Sequence, residues 1–161
     1  MIRAALFGPP AWRVVPARMG DAPAIAALHA ASFARGWEAA EIEAMLIEPS
    51  TVCDLLHAGA RRTPAGFALS RCVVDEAEVL SIAVAARRRG QGGGRALLGR
   101  HLSRLAAAGA RRVVLEVDEV NAPALRLYAR FGFAGIGSRP AYYARPDGSR
   151  GNAVLMARAL G

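Results

Sequence analysis

The sequence predicts a mixed α/β (α+β) fold built on one sheet, and three observations support this class. The chain has 161 residues, of which 53% are hydrophobic, so it is long enough for one domain with a buried core. A glycine-rich stretch and a helix separate two apolar strands, Val79–Val84 and Arg112–Val117, which predicts a parallel pair joined by a right-handed crossover. Three strand candidates in a row are joined by short links, which predicts antiparallel neighbours. We therefore expect a single domain over residues 1–161.

The first half of the chain predicts an opening strand followed by two helices. Residues 11–17 alternate enough for a strand. Asp21 is a good N-cap for the first helix, and Pro23 is tolerated in its first turn. A second short helix is predicted from Glu38 to Ile47, before Pro49. The three strands that follow are expected at Thr51–Ala58, Ala65–Val74 and Glu78–Val84.

The second half predicts a helix, a strand, a helix and two closing strands. Leucines recur at helical spacing after the glycines, up to a stop at Gly109. After the strand Arg112–Val117, Asn121 should cap a helix that runs to about Arg130. A further strand begins near Phe133. The remaining segments are a loop over Ala141–Tyr143 and Arg145–Gly148, and a closing strand over Asn152–Arg158.

The glycine-rich stretch, Arg89-Gly90-Gln91-Gly92-Gly93-Gly94, joins a strand to a helix N-terminus. Without Cβ atoms, successive backbone N–H groups can surround an anion, assisted by the positive end of the helix dipole. A P-loop would need Gly-Lys-Ser/Thr, and the chain contains no Lys. A dinucleotide-binding turn would need Gly-x-Gly-x-x-Gly, whereas the order here is Arg-x-x-Gly-x-Gly. The stretch therefore predicts an anion site of another kind.

Composition limits the partners and the compartment. The net charge is +8, and every basic residue except the histidines is Arg. Because these arginines are scattered without aromatic stacking partners, we expect no direct binding of nucleic acid. No apolar run approaches the ~18 residues of a membrane span, and residues 1–10 read as a loose leader rather than a signal peptide. Cys53 and Cys72 favour a reducing, cytoplasmic setting, and the spacing typical of a metal site is absent.

A series of motifs carries a resemblance to a known family. The motifs are Leu80–Val84, the Arg89–Leu98 block, Leu115–Val117, Asn121–Tyr128, Phe131–Phe133, Tyr142-Tyr143, Asp147-Gly148 and Val154–Met156. Together they resemble the GNAT superfamily of acetyl-coenzyme A-dependent N-acetyltransferases, and within it the ribosomal-protein-alanine N-acetyltransferases (RimI type). The resemblance covers Trp12 to Arg158 and is tight from Glu78 onward. It implies the GNAT fold, a single twisted mixed sheet of about six to seven strands with helices on both faces.

The resemblance also implies which residues bind the cofactor. The backbone of Ile82, Ala83 and Val84 would hold the pantetheine arm and the thioester, with one N–H polarising the thioester carbonyl. Asn121 would contact acetyl-coenzyme A as well as cap its helix. Gly93 departs from the family, which usually has a bulky aliphatic residue there, and this should loosen the loop by about 0.5–1 kcal/mol. The pyrophosphate would be bound by Arg89, Gly90, Gln91, Gly92, Gly93, Gly94 and Arg95.

The resemblance assigns the chemistry to Glu116 as general base and Tyr128 as general acid. Thioester aminolysis requires that the amine lose a proton and that the departing thiolate gain one. Other interpretations stay open: Glu116 as an exposed strand residue, and Tyr128 as a plain core residue. Tyr142 and Tyr143 either line the acceptor groove or pack within their loop.

For the acceptor, the resemblance implies the N-terminal α-amine of a protein, most simply the alanine of a small-subunit ribosomal protein. No metal or membrane partner is implied. Two alternatives remain: a GNAT enzyme that acetylates a small amine such as a polyamine or antibiotic, and a non-catalytic module that binds acetyl-coenzyme A. The acidic residues Glu38, Glu41 and Glu43 are compatible with the first, and the retained Glu116 and Tyr128 argue against the second.

Overall fold

The computed structural model describes residues 8–161. The expected leader, residues 1–10, lies outside the described residues over its first seven positions. The described part of the chain contains seven strands and four α-helices, with short 3-10 turns at Met19–Asp21 and Ala86–Arg88. In chain order the elements are β1 (Trp12–Pro16), α1 (Ala22–Ser32), α2 (Ala39–Ile47), β2 (Thr51–Ala58), β3 (Gly66–Val73), β4 (Glu76–Val84), α3 (Gly93–Ala107), β5 (Arg112–Asp118), α4 (Ala122–Arg130), β6 (Ala134–Ala144) and β7 (Arg150–Ala159).

The strands form one mixed sheet in the order β1-β2-β3-β4-β5-β7-β6. β4 and β5 are parallel, and their register runs from Glu76↔Arg112 to Val79↔Leu115. β1 pairs antiparallel with β2, and β7 lies antiparallel to both β5 and β6. The predicted fold class, including the parallel pair and its helical crossover, is confirmed. The chain divides into two compact units, so the prediction of a single domain over residues 1–161 stays a prediction.

The first unit comprises the described residues up to Leu69 together with Ser81–His101. Its central strand, β2, is buried from Val52 to Ala58, as expected for a run with apolar residues on both faces. A core cluster of Leu56, Ala65, Ala68 and Leu97 joins β2, β3 and α3. Partly buried side chains pack against this cluster: Trp12, Val14, Ile82, Val84 and Ala96. The start of α3 therefore packs on a buried apolar core.

The second unit comprises Ser70–Leu80 and Leu102–Gly161. On β5 the residues Val113, Leu115 and Val117 are buried while the residues between them are half-buried, which is the period of two expected for a strand. β7 pairs with β5 over seven positions and separates it from β6. As a result, a β5 side chain and a β6 side chain on the same face of the sheet are separated by β7.

Three predicted helix boundaries are confirmed, two of them with the expected cap bond. Gly109 has a φ of +99°, and the N–H of Ala110 donates to the carbonyl of Leu105 (3.0 Å), so glycine ends α3 as expected. Asn121 Oδ1 accepts from the N–H of Ala124 at the start of α4. Asp21 occupies the N-cap of α1, but its carboxylate accepts a hydrogen bond from the backbone of Arg18 instead.

The loop predicted over Ala141–Tyr143 is wrong, because these residues belong to β6. The pairing with β7 is irregular between Arg139 and Tyr143, and Ala141 has a φ of +53°. Side chains of β7 replace the missing ladder bonds: Asn152 Oδ1 accepts from the N–H of Ala141, and Arg150 Nε donates to its carbonyl. The strand thus continues through a local distortion.

Candidate active site

The predicted anion loop lies in the first unit, between the end of β4 and the start of α3. Gly90 (φ +73°) and Gly92 (φ +85°) adopt the left-handed conformation, which is cheap for glycine and strained for other residues. Gly93 and Gly94 are the first two residues of α3. The first N–H groups of a helix have no acceptor within it, and they carry the positive end of the helix dipole. The loop therefore presents N–H donors suited to an anion.

Side chains of the loop fold back onto the backbone that precedes it. Arg89 Nε donates to the carbonyl of Val84 at the end of β4 (3.0 Å), and Gln91 Nε2 donates to the carbonyl of Arg87 (3.3 Å). A third bond comes from a distant part of the same unit, because Trp12 Nε1 on β1 donates to the carbonyl of Gln91 (2.9 Å). These three bonds restrain a loop that contains four glycines.

The strand residues expected to hold the thioester end β4 in the first unit. Ala83 is buried, whereas Ile82 and Val84 are partly buried and pack on the core below α3. The β4 side chain before them, Ser81, is also buried, and its Oγ has no hydrogen-bond partner in the described part of the chain. The parallel register with β5 has ended at Val79, before these residues begin.

Glu116 lies at a half-buried position of β5 in the second unit. Its Oε1 is 3.0 Å from Nη2 of Arg139 on β6, and its side chain is 20% exposed. The structure shows no protein partner for Oε2 among residues 8–161. Glu116 is one of the residues that line a small cavity of about 60 Å³, together with Leu115, Ile136, Leu155 and Met156. Glu116 is thus an oriented carboxylate with one oxygen available to a water or an amine.

Tyr128 on α4 is buried, with a relative exposure of 5%. Its ring makes an edge contact with Phe133, at a centroid separation of 5.7 Å. Burial, with a smaller contribution from Tyr143, raises the pKa of Tyr128 to about 12. Its hydroxyl makes no hydrogen bond to protein within the described residues. Tyr128 is therefore a phenol that keeps its proton at neutral pH and has that proton to donate.

Tyr142 and Tyr143 are neighbours on β6 and form an edge contact with ring centroids 5.0 Å apart. The guanidinium of Arg139 lies over the ring of Tyr142 (4.9 Å). Burial raises the pKa of Tyr143 to about 12, with additional contributions from Tyr142, Glu116 and Asp118, while Arg139 opposes the shift. Tyr143 therefore interacts electrostatically with both Glu116 and Tyr128.

Within the second unit the structure thus brings together Glu116, Tyr128, Tyr142 and Tyr143, four of the residues singled out from the sequence. Asn121 caps α4 as described, and a contact between Asn121 and a cofactor stays a prediction. Sequence reasoning missed Arg139, the ion-pair partner of Glu116, and the pair Arg145–Asp118 (2.9 Å) at the end of β5. No local pattern indicates these pairs, because they depend on the insertion of β7 between β5 and β6.

The described residues hold no cluster of His, Cys, Asp and Glu that could bind a metal ion. Nor does this part of the chain contain a helix long and apolar enough to span a membrane. The chemistry available to the described residues is thus that of an anion-binding loop in one unit and of a carboxylate with protonated phenols in the other. The first feature is suited to binding an anion and the second to proton transfer.

Comparisons with known proteins identify the class more closely. Residues 22–133 match the acetyltransferase (GNAT) family, and the chain belongs to that family. The predicted family is thereby confirmed. A 92-residue segment is 41% identical to the [ribosomal protein bS18]-alanine N-acetyltransferase of Haemophilus influenzae, and it covers 57% of this chain and 62% of that relative. The match therefore leaves more than a third of the relative's length uncovered.

Solved structures extend the likeness over nearly the whole chain. The crystal structure of the ribosomal-protein-S18-alanine N-acetyltransferase from Escherichia coli superposes with a TM-score of 0.85 at 28% identity, covering 94% of this chain and 95% of that one. An Arabidopsis thaliana protein, NAA60, solved in complex with acetyl-CoA, superposes with a TM-score of 0.82 at 18% identity, over 93% of this chain and 99% of the other. At that identity, the second likeness concerns the fold alone.

Proposed function

We propose that the protein transfers the acetyl group of acetyl-coenzyme A to the N-terminal α-amine of a protein, by direct attack of the amine on the thioester. The acceptor we propose is the N-terminal alanine of a small-subunit ribosomal protein. The observation that carries the proposal is the group in the second unit: an oriented carboxylate, Glu116, together with buried Tyr128, whose phenol stays protonated. Family membership supports the donor, and the names of the relatives support the acceptor.

The first unit binds the donor in this proposal. Backbone N–H groups from Gly90 to Arg95 receive the pyrophosphate, and Arg89 adds its guanidinium charge. The backbone of Ile82, Ala83 and Val84 receives the pantetheine arm and the thioester. An N–H of that strand stabilises the negative charge that develops on the thioester oxygen. Asn121 contributes a further contact to the cofactor from the start of α4.

The second unit moves the protons. The amine nitrogen attacks the acetyl carbonyl carbon, a C–N bond forms, and the C–S bond breaks to release coenzyme A. Glu116 takes the proton that the amine loses, directly or through a water, at the carboxylate oxygen that Arg139 leaves available. Tyr128 gives its proton to the departing thiolate. Its raised pKa is compatible with this role because the phenol, not the phenolate, is present near pH 7.

An α-amine suits a base of this kind better than a lysine side chain. An N-terminal amine has a pKa of about 7.7–8 and is partly neutral at physiological pH, whereas lysine, at about 10.4, is almost wholly protonated. Glu116 then needs only to remove the proton released during attack. Tyr142 and Tyr143, on β6, contact the peptide in this proposal. We place the reaction in the cytoplasm, which agrees with Cys53 and Cys72 forming no disulfide.

The test is a competition between two peptides that begin with alanine and carry one internal lysine. One peptide has a free α-amine and the other has that amine already acetylated. Each is incubated with acetyl-coenzyme A, and the products are located by mass spectrometry while free thiol is measured. Acetylation confined to the free α-amine is the expected result. Matched reactions with Glu116→Gln should show far slower thiol release with the same product.

Each other outcome contradicts a stated part of the proposal. Acetylation of the internal lysine in both peptides would contradict the α-amine as acceptor. Thiol release only with polyamines or other small amines would place the protein among small-amine acetyltransferases. Binding of acetyl-coenzyme A without thiol release from any acceptor would indicate a non-catalytic module.

A further inference from the structure

The anion loop contacts a residue that belongs to neither of its flanking elements. Trp12 lies on β1, 79 residues before Gln91, and its Nε1 donates to the carbonyl of Gln91 at 2.9 Å. The indole is partly buried and packs against the core cluster that contains Leu56 and Leu97. A rigid, anchored ring is therefore hydrogen-bonded to the middle of a loop that contains four glycines.

The same ring occupies the space that a side chain at residue 93 would need. A Cβ atom added to Gly93 would lie 3.1 Å from Cζ2 and 3.2 Å from Cη2 of Trp12, and 2.9 Å from Cδ2 of Leu56. Real Cβ atoms avoid such distances, and Trp12 and Leu56 are held by the core below them. Glycine at the first position of α3 is thus matched to tryptophan on β1.

The hydrogen bond also fixes the direction of a neighbouring donor. The carbonyl of Gln91 and the N–H of Gly92 belong to one planar peptide unit, and in a trans peptide they point in opposite directions. Because Trp12 Nε1 holds the carbonyl, the N–H of Gly92 is directed away from the indole. Gly92 adopts a φ of +85°, and its own Cβ position would lie 3.9 Å from Nε1. Without such an anchor, a run of glycines would have many backbone conformations of similar energy.

We propose that Trp12 is a positioning residue for binding of the phosphorylated donor. Its ring replaces the side chain missing at residue 93, and its N–H orients the Gln91–Gly92 peptide so that the loop N–H groups are set before the anion arrives. The proposal rests on the proposed function, since it assumes that the loop binds acetyl-coenzyme A. It also replaces the expectation that Gly93 loosens the loop, because the indole supplies the contacts that a side chain would have made.

The first test separates the hydrogen bond from the packing. Trp12→Phe keeps an aromatic ring but removes the donor. We expect it to raise the KM for acetyl-coenzyme A about five-fold, as for the loss of one intramolecular hydrogen bond, with kcat and the KM of the acceptor peptide unchanged. A merely structural role would lower the melting temperature without this selective change in KM. The matched control is Trp37→Phe, at the other tryptophan of the chain, which should leave the KM for acetyl-coenzyme A unaltered.

The second test uses the complementarity of residues 12 and 93. Gly93→Ala in the wild-type background should lower the melting temperature and raise the KM for acetyl-coenzyme A, because the new Cβ meets the indole. In a Trp12→Ala background the indole contacts are gone but Leu56 Cδ2 remains 2.9 Å from the new Cβ, so the same Gly93→Ala change should lower the melting temperature and raise the KM by less. The penalty of Gly93→Ala should therefore be smaller in the Trp12→Ala background than in the wild type.

The outcomes distinguish this proposal from the proposed function. A wild-type protein that does not bind acetyl-coenzyme A overturns the proposed function, and the role of Trp12 with it. If the wild-type protein binds the cofactor but Gly93→Ala carries the same penalty in both backgrounds, the role of Trp12 alone is overturned. So does a Trp12→Phe variant with an unchanged KM for acetyl-coenzyme A. Should Trp12→Ala fail to fold, Trp12→Leu provides the smaller side chain for the same comparison.

Discussion

The two regions to which we assign donor binding and proton transfer are stabilised in different ways. In the first unit, the helix that begins at the anion loop is tied to β2 by a hydrogen bond of 2.6 Å between His101 Nδ1 and Asp54 Oδ2, both fully buried. In the second unit, the carboxylate of Glu116 is oriented by Arg139, whose side chain is 52% exposed. Buried contacts in a dry core are insensitive to salt, whereas a half-exposed ion pair is screened by it.

This difference fits the separate roles that we propose for the two regions, donor binding and acceptor binding. The loop that we propose binds the donor depends on backbone conformation and core packing, which suits it to an invariant part of that ligand. Glu116 and the tyrosines depend on side chains of β5, β6 and α4, of which β6 is exposed over most of its length. A protein surface of this kind can accommodate acceptors that differ in sequence, because its contacts are few and adjustable.

The largest expected effect concerns Tyr128. Tyr128→Phe removes only the hydroxyl, which makes no hydrogen bond to protein within the described residues, so packing against Phe133 should survive. Loss of a general acid should lower kcat by about 10²–10⁴-fold while the affinity for acetyl-coenzyme A stays unchanged. Steady-state kinetics and direct titration measure the two quantities. The control is Trp37→Phe, an aromatic substitution in the first unit, and near wild-type turnover of Tyr128→Phe would make Tyr128 a core residue only.

The second prediction concerns the buried hydrogen bond of the first unit. His101→Leu removes a polar partner of Asp54 inside the core, and we expect a loss of about 3–5 kcal/mol in the free energy of unfolding. Urea denaturation measures this loss. The matched control is Glu76→Gln, which removes the exposed pair Arg112–Glu76 (2.9 Å) and should cost less than about 1 kcal/mol. Equal losses in the two variants would contradict the contrast between buried and exposed pairs.

The third prediction concerns pH and the second unit, which contains all three tyrosines of the chain. Tyr128 and Tyr143 have pKa values raised from 10.0 to about 12 in the folded protein. Folding therefore favours their neutral forms, and this contribution to stability is complete below pH 10 and is lost as the pH rises towards 12. Phenolate absorbance should show two late increments, and Tyr128→Phe should remove one. If Tyr128→Phe instead removed an absorbance increment near pH 10, burial would not raise the pKa of Tyr128.

The smallest expected effect concerns Ser81 in the first unit. Its hydroxyl is buried and has no hydrogen-bond partner among the described residues. Ser81→Ala therefore removes an unsatisfied polar group without breaking a hydrogen bond. We expect a free energy of unfolding within about 0.5 kcal/mol of the wild type, or slightly higher. Chemical denaturation checks this, with Ser70→Ala, at a fully buried serine of β3, as a comparison. A loss above about 1 kcal/mol in Ser81→Ala would show that the hydroxyl has a partner.

Much of the first region could be predicted from local sequence. The run of apolar residues before Arg89, the glycines and the leucine spacing after them indicate a strand, a turn and a helix without knowledge of the rest of the fold. The helix ends at Gly109 and Asn121, in the second unit, are predicted by equally local signals. Trp12 and the pair Asp54–His101 escape such reasoning, because their partners lie 79 and 47 residues away in the chain.

In the second region, the sequence indicates the residues that we propose for proton transfer, but not the side chains around them. Glu116 stands out as a carboxylate between the apolar residues Leu115 and Val117. Its partner Arg139 depends on strand order, because β7 enters the sheet between β5 and β6. The continuation of β6 through Tyr142 and Tyr143 depends on side-chain bonds from Asn152 and Arg150 to Ala141. Neither feature follows from the periodicity of a single segment.

The central claim is that the glycine loop of the first unit binds the donor, and acetyl-coenzyme A binding to Gly92→Val tests it most directly. The control is Gly148→Val in the second unit, because Gly148 has nearly the same φ (+86° against +85°) and open space around it. Binding to the folded state stabilises it by about 2.7 kcal/mol at a hundred times Kd, so the melting temperature of the wild type and of Gly148→Val should rise with cofactor concentration. That of Gly92→Val should not. An equal rise in all three proteins, or no rise in the wild type at millimolar acetyl-coenzyme A, would contradict the account.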